Sequence, residues 1–379
     1  MDNIELLESY NSYLQEQKAN GKKIIAYLTH DNVPIELFEA AGFVPLPLIF
    51  AGKDELMDAS HSYLPPSTCS YAQSCIGYFS STPRTHEFLD LADYILLSNH
   101  CVSNICVSEI LSNNFNRKRL DFYVSYTRNS NALKYYKLEL KHLQKEIEGI
   151  TKERIPDHRI KEEIIRHNNF KTIVEQVSKL NIPGSEKLDI YQKAILYGPA
   201  IQAEIEEIIS SYKSNTKNTN STHPKNVIFT GCSIFINDYL MDLIEDAGGN
   251  IVLFDTWIGR NYYSQTFSEE VIASLNDPID LLTKRFENNV YGDHCVPDSL
   301  DNKIVFLENY VNEYHKKYGD KIGVINHIIK FCDHFSLFQS YFKEKLQERG
   351  VQVLNLERDY SRSIKGQLST RIEAFMEMI

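Results

Sequence analysis

Seven cysteines, Cys69, Cys75, Cys101, Cys106, Cys232, Cys295 and Cys332, are the residues of this chain best suited to soft-metal or redox chemistry. No two are three residues apart, so there is no C-x-x-C pair of the kind that marks zinc ribbons, thioredoxin motifs or bacterial ferredoxin clusters. Cys69 and Cys75 are six apart and Cys101 and Cys106 five apart, offsets that point to different helix faces. A shared metal would therefore draw one cysteine from each region. Position selects Cys69, Cys101 and Cys332, each at an expected helix start, the latter two close behind apolar strands. In open α/β sheets ligands bind beyond the carboxyl ends of strands, and helix N-termini favour the thiolate. Three such thiolates could hold three irons of a [4Fe-4S] cluster, the fourth iron staying open to another ligand. Against this stands ordinary packing, since free cysteine is among the most buried residue types.

The elements that must position these cysteines alternate between strand and helix. A first helix fills the opening ~20 residues and ends at Asn20-Gly21. Short apolar runs at 23–29, 43–49, 94–98 and 121–126 read as strands, the second an edge because of Pro45 and Pro47. Between them lie a helix bracketed by Pro34 and Gly42, one from about Cys69 and one after Cys101. From Asn226 the plan repeats, with strands at VIFTG, IVLFD, 321–326 and VQVLNLE. A helix face follows VIFTG through Ile236, Leu240, Leu243 and Ala247. Ser336–Gln339 and Thr370–Glu373 read as capping boxes. The expected fold is α/β: two Rossmann-like parallel-sheet domains, residues 1–130 and 223–379, joined by a charged helical region at 131–222.

Composition narrows the class. With 379 residues, two to three domains are expected. A net charge of −11 disfavours nucleic acid as a partner. The longest apolar run, 43–52, has ten residues and two prolines, too short for a membrane span. The acidic start MDNIELLESY has no signal-peptide core, and an odd cysteine count argues against a disulfide framework; both lead to an expected cytoplasmic location.

Five segments carry a resemblance. VPIELFEAAGFVPLPL, around Pro34, resembles the P-x-E-L-x-x-A-x-G-x-x-P opening of the 2-hydroxyacyl-CoA dehydratase / benzoyl-CoA reductase family. Cys69-Ser-Tyr-Ala-Gln-Ser, then Asp93 through Cys101, then Lys330-Phe-Cys332-Asp333 resemble its three cysteine segments. Glu357-Arg358-Asp359 with Gly366-Gln367 and Thr370-Arg371-Ile-Glu373-Ala-Phe375 resembles its tail. Gln73 stands where many members carry arginine, and Asp293-His-Cys295-Val-Pro297 is only loosely similar to the family's Pro-Cys stretch.

The resemblance implies two α/β domains with a [4Fe-4S] cluster between them on Cys69, Cys101 and Cys332, and a heterodimer with a homologous α-type subunit. It also implies an ATP-dependent iron–sulfur activator that supplies one electron, and a CoA-thioester substrate that loses water through a ketyl radical. A proton beta to a thioester is too weakly acidic for ordinary acid–base elimination, and one-electron reduction acidifies it. Length and tail resemble the smaller, β-type subunit, in which case the chain relays an electron while the substrate sits on the other subunit. Two alternatives stay open: a homodimeric reductase-like protein with a double iron–sulfur cluster, and a non-catalytic electron-relay or scaffold subunit. A metal-free two-lobed binding protein is the third class.

Other residues have two readings each. Cys232, at the expected helix start after VIFTG, suits a fourth ligand or plain packing; Cys295 is balanced between the two. Cys75 and Cys106 read as packing residues. Gly231-Cys232-Ser233 could cradle a CoA phosphate with its N–H groups. His100 could modulate a cluster or pack, and Trp257 and Arg260 could face a cleft or the surface.

Overall fold

The computed structural model describes residues 3–28, 32–82, 86–125, 127, 129–214, 225–289 and 298–379. Its first sheet is made of β1 (Lys23–Tyr27), β2 (Phe43–Pro47), β3 (Tyr94–Ser98) and β4 (Lys118–Phe122), all parallel in the order β2-β1-β3-β4. The second is made of β5 (Lys225–Gly231), β6 (Gly249–Asp255), β7 (Gly323–Ile329) and β8 (Val353–Arg358), parallel in the order β6-β5-β7-β8. The two sheets thus share one plan, as the repeated strand–helix pattern predicts. In each, the order reverses between the two central strands, β1/β3 and β5/β7, where open α/β sheets collect ligands.

Helices α1 (Ile4–Ala19), α2 (Ile35–Ala40), α3 (Asp54–Ser60), α4 (Ser70–Ser80) and α5 (Val102–Asn114) belong to the first half. The middle of the chain is helical: α6 (Ser130–Thr151), α7 (Asp157–Glu175), α8 (Gly184–Tyr197) and α9 (Gln202–Ser214). In α6 the buried Ala132, Tyr136, Leu140, Leu143 and Ile147 recur every three or four residues, the period of one helix face. The second half holds α10 (Leu240–Asp246), α11 (Glu269–Ser274), α12 (Pro278–Asn288), α13 (Ser299–Tyr318), α14 (Asp333–Ser336), α15 (Gln339–Glu348) and α16 (Lys365–Met378). Helix α12 leaves its own sheet and packs in the core of the first: Phe286 stacks on Tyr136 at 4.3 Å, with Ile279 and Leu282 beside it.

The main core joins the halves. Ile24, Ala26 and Ile95 of the first sheet and Val227, Phe229 and Ile325 of the second belong to one buried cluster. Phe50 and Ile236 form a β-bridge across the join, with Ala51 N donating to Ile236 O and Ile236 N to Ile49 O, both at 2.9 Å.

Several elements differ from the sequence expectation. β4 is Lys118–Phe122 rather than 121–126; it is an edge strand with its first residues exposed, so it lacks the apolar run that marks buried strands. β7 extends to Ile329 because the buried His327 is hydrogen-bonded on both ring nitrogens. Neither capping box forms: Ser336 ends α14, with Phe338 at the cap of α15, and α16 begins at Lys365, placing Thr370 inside it. Ile236 belongs to the bridge with Phe50, not to the helix that begins at Leu240.

Candidate functional site

The carboxyl ends of the two sheets face one cavity of about 120 Å³, lined by Cys69, Cys101, Cys232 and Cys332. One water occupies roughly 30 Å³ of liquid, so the space suits a small inorganic group. Cys101 follows β3 and caps α5, and Cys332 follows β7 and caps α14. These are equivalent strands of the two sheets. Cys69 caps α4, as its position after Pro65-Pro66 predicts. Cys232 follows β5 directly.

The expectation that Cys232 opens a helix is not met. The chain runs on in an irregular loop to the bridge at Ile236, and α10 starts only at Leu240. The phosphate cradle at Gly231-Cys232-Ser233 fails for the same reason, since Cys232 N already donates to His327 O at 2.8 Å. Gly231 is required here: its φ is +90°, and an added Cβ would lie 2.3 Å from His327 O.

Each sulfur has a backbone N–H directed at it. Asn104 N donates to Cys101 Sγ at 3.2 Å, and Ile329 N lies 3.5 Å from Cys232 Sγ. Tyr71 and Ala72 N–H groups serve Cys69, and that of Phe335 serves Cys332. The Cys332 thiol is in hydrogen-bonding contact with both Cys69 and Cys232. Helix termini were expected to favour thiolates; the balance runs the other way in the metal-free protein. Hydrogen bonding to Cys332 and burial push the Cys69 thiol well up, contact with Cys232 and burial do the same to Cys332, and burial raises Cys101 to about 12. Buried like-charged thiolates cannot all ionise without a cation, and a metal reverses that balance by taking the thiolate as ligand.

This donor set fits a [4Fe-4S] cluster, which takes four thiolates. Cys332 touches two of the other sulfurs, but no three of the four meet the mutual spacing of a single-ion site. Among the described residues, Glu39, Glu163 and His167 alone meet single-ion spacing, and Arg166 already pairs with both carboxylates. Of the other cysteines, Cys75 is buried in the core, as expected. Cys106 is exposed on α5, correcting its reading as a packing residue: its face of the helix points away from the sheet. Cys295 lies outside the described residues.

The halves meet around the cavity. Ser70 N donates to Lys330 O at 3.2 Å, and His100 stacks on His334 at 5.1 Å and 11°. Both rings line the cavity, so His100 packs against α14 at the edge of the site. Gln73 holds the turn before Cys69, its Nε2 donating to Thr68 O at 2.7 Å. Trp257 lines the cavity; Arg260 does not, and pairs instead with Asp255. Arg371 donates to Asn355 O at 2.6 Å and Glu373 accepts from Ser369 Oγ at 2.7 Å, with no contact to the cavity lining.

Sequence reasoning missed two supporting networks. His327 Nδ1–H donates to Cys232 O at 2.7 Å while its Nε2 accepts from Arg358 Nε at 3.0 Å, so the ring is neutral; burial and Arg358 push its pKa well down. Arg358 in turn pairs with Asp238. On the opposite wall Lys303 Nζ donates to Asp255 at 2.8 Å and to Thr230 at 3.2 Å. A signal for both was present: Thr230, Asp255 and His327 are polar residues at the ends of otherwise apolar strands, and buried polar side chains need partners.

Comparison with known proteins decides the family. The sequence model described as "2-hydroxyglutaryl-CoA dehydratase, D-component" matches residues 32–379. The chain belongs to that family. A protein of Escherichia coli (strain K12) with the provisional name dehydratase subunit YjiM is 23% identical over 360 residues, covering 92% of this chain and 89% of that protein. The lactoyl-CoA dehydratase subunit beta of Anaerotignum propionicum is 21% identical, covering 91% and 89%. The (R)-phenyllactyl-CoA dehydratase beta subunit of Clostridium sporogenes is 23% identical, covering 99% and 97%. The family indicates a subunit of a 2-hydroxyacyl-CoA dehydratase. Among the described residues, no helix is long and apolar enough to cross a membrane.

Proposed function

We propose that this dehydratase-family chain is an electron-carrying β-type subunit with one [4Fe-4S] cluster on Cys69, Cys101, Cys332 and, as the fourth thiol, Cys232. The supporting observation is the convergence of four thiols, from four separate segments, on one cavity where the two sheets face each other. Bound there, the cluster supplies a one-electron carrier. Four thiolates fill four irons, so this reading leaves no iron open to the substrate and favours the relay role. The 2-hydroxyacyl-CoA, and the removal of water from it, then belong to a homologous α-type subunit, with an ATP-dependent activator as electron source.

The chain's own residues hold and shield the site. Backbone N–H groups direct partial positive charge at each sulfur, which stabilises the reduced, more negative state. His327 and Arg358 fix the Cys232 loop. Leu28, Phe235, Ile329 and Phe335 supply apolar wall that excludes water. A double cluster would need further ligands. Among the described residues the two remaining cysteines, Cys75 and Cys106, lie outside the cavity lining, which favours the single cluster.

The test is anaerobic purification with iron and sulfide counted per chain, for wild type and for Cys69→Ser, Cys101→Ser, Cys332→Ser and Cys232→Ser. About four irons are expected, largely lost in the first three variants. Cys232→Ser should keep a cluster of altered electron-paramagnetic signature, its fourth iron having changed ligand. About eight irons would favour the double cluster. A Cys232→Ser spectrum identical to wild type would return the fourth iron to an outside ligand, and no iron at all would sink the metalloprotein reading.

A further inference from the structure

The Trp257–Asn261 wall of the cysteine cavity has a second side. Both residues also line a smaller chamber of about 30 Å³, together with Glu36, His167, Lys171, Gln265 and Arg285. The turn that carries them follows β6 and is held from several directions. Ile258 N donates to Ser233 Oγ at 3.0 Å, Thr256 Oγ1 to Ile258 O at 3.0 Å, and Asn261 N to Thr256 O at 3.1 Å. Gly259 has a φ of +146°, and an added Cβ would lie 2.5 Å from Phe254 O, so the turn needs glycine there.

The chamber is walled by polar groups whose hydrogen bonding is incomplete. Glu36 is 1% exposed, and its Oε1 pairs with Arg285 Nη2 at 2.6 Å. That contact leaves Glu36 Oε2 and Arg285 Nε over. With Asn261 Oδ1 and Gln265 Nε2 they make four buried atoms that have no partner among the described residues. Asn261 is itself 8% exposed. Native proteins satisfy nearly all such groups, with ordered water where no protein group reaches. Two acceptors and two donors around one chamber call for an occupant.

Charge and size define it. The Glu36 carboxylate stands against an anion. Arg285 and Lys171, whose positive charges both act on Glu36, stand against a metal cation. A neutral molecule that both donates and accepts matches the four free atoms. A water needs roughly 10–15 Å³ of space open to its centre, so the chamber takes one or two waters and no organic ligand. We propose that this chamber is a hydration site, whose ordered water bridges the Glu36–Arg285 pair to the amides of Asn261 and Gln265. Asn261 is then a positioning residue. The water fixes its amide, and with it the wall that Trp257 and Asn261 present to the cysteine cavity. The site joins α2, α12 and the turn after β6, and it does not rest on the cluster reading.

The test combines a high-resolution crystal structure of the full chain with two solution readouts, water relaxation dispersion and fluorescence. Relaxation dispersion counts long-lived internal waters. Trp257 is the only tryptophan in the chain, so emission reports on this wall alone. The key variant is Gln265→Leu, because Gln265 lines the chamber but not the cysteine cavity. Density should show one or two waters within hydrogen-bonding distance of the four atoms. Gln265→Leu should lose at least one long-lived water, and its emission should move to shorter wavelength than that of wild type at equal iron content. Val33→Leu, which pushes one more carbon into the chamber, should act the same way and serves if Gln265→Leu does not fold. A dry chamber, an ion in the density, or an unchanged water count in the variants would overturn the hydration site. Loss of the water with unchanged emission would overturn the positioning role of Asn261.

Discussion

At the scale of single residues, Glu36 shows what pairing does for a buried charge. Glu36, in the segment that follows Pro34, is buried against Arg285 of α12 at 2.6 Å. Burial by itself would raise its pKa, but Arg285, with His167 and Lys171 nearby, outweighs this and holds the carboxyl at about 2 against an ordinary 4.5. A carboxylate depressed in the folded state stabilises fully above its unfolded pKa and loses that contribution as pH falls through the folded one. The shift corresponds to about 3 kcal/mol. Urea midpoints should therefore show Glu36→Gln less stable than wild type by that order above pH ~5, with the gap closing toward pH ~2. A gap independent of pH would remove the electrostatic explanation. Cys106 makes the complementary case. Exposed and not itself part of the cavity lining, it should tolerate Cys106→Ser with full iron content and a stability change within about 0.5 kcal/mol.

At the scale of elements, the site depends on how closely loops and helices approach one another. Gly231 lets β5 end in a left-handed residue whose next N–H reaches His327 O. Gly231→Ala meets both a strained φ and a 2.3 Å clash. It should cost about 2 kcal/mol or more, read as a lowered melting temperature, and should displace Cys232. Iron retention should then fall with the Cys232→Ser pattern rather than the Cys69→Ser pattern. A stable Gly231→Ala protein with wild-type spectra would show that the Cys232 loop has slack. Gly77 plays a similar part where α4 crosses α3, its Cα facing Leu56 O so closely that a Cβ would lie 2.1 Å away. That approach fixes the helix whose first residue follows Cys69.

At the scale of the molecule, the two halves share one core and meet across the cavity. Ile24 and Ile95 belong to the same buried cluster as Phe229 and Ile325, and α12 crosses to the first sheet. Burial common to both halves couples their unfolding. Calorimetry and near-ultraviolet dichroism should give one coincident transition; two resolved transitions would mean that the interface contributes little. The Phe50–Ile236 bridge and the His100–His334 stack are the contacts that would yield first in such a separation.

Much of this was legible in the residues. Continuous apolar runs marked seven of the eight strands within a few residues, and turn signals placed Cys69, Cys101 and Cys332 at helix starts. Periodicity records burial, so it failed where burial is partial, at the edge strand β4, and where a polar residue is satisfied by distant partners, at His327. The capping boxes failed because the sequence pattern is local while the helix ends were set by packing. The sequence by itself determined an α/β chain of two similar halves, and that Cys69, Cys101 and Cys332 open helices, because those follow from short-range pattern. Only the tertiary structure decided that Cys232 joins the other three, that Cys106 turns away, and that Glu36, Asn261 and Arg285 line one chamber. Facts of this kind depend on residues a hundred or more positions apart, and no local propensity encodes them; they appear only when the chain closes on itself.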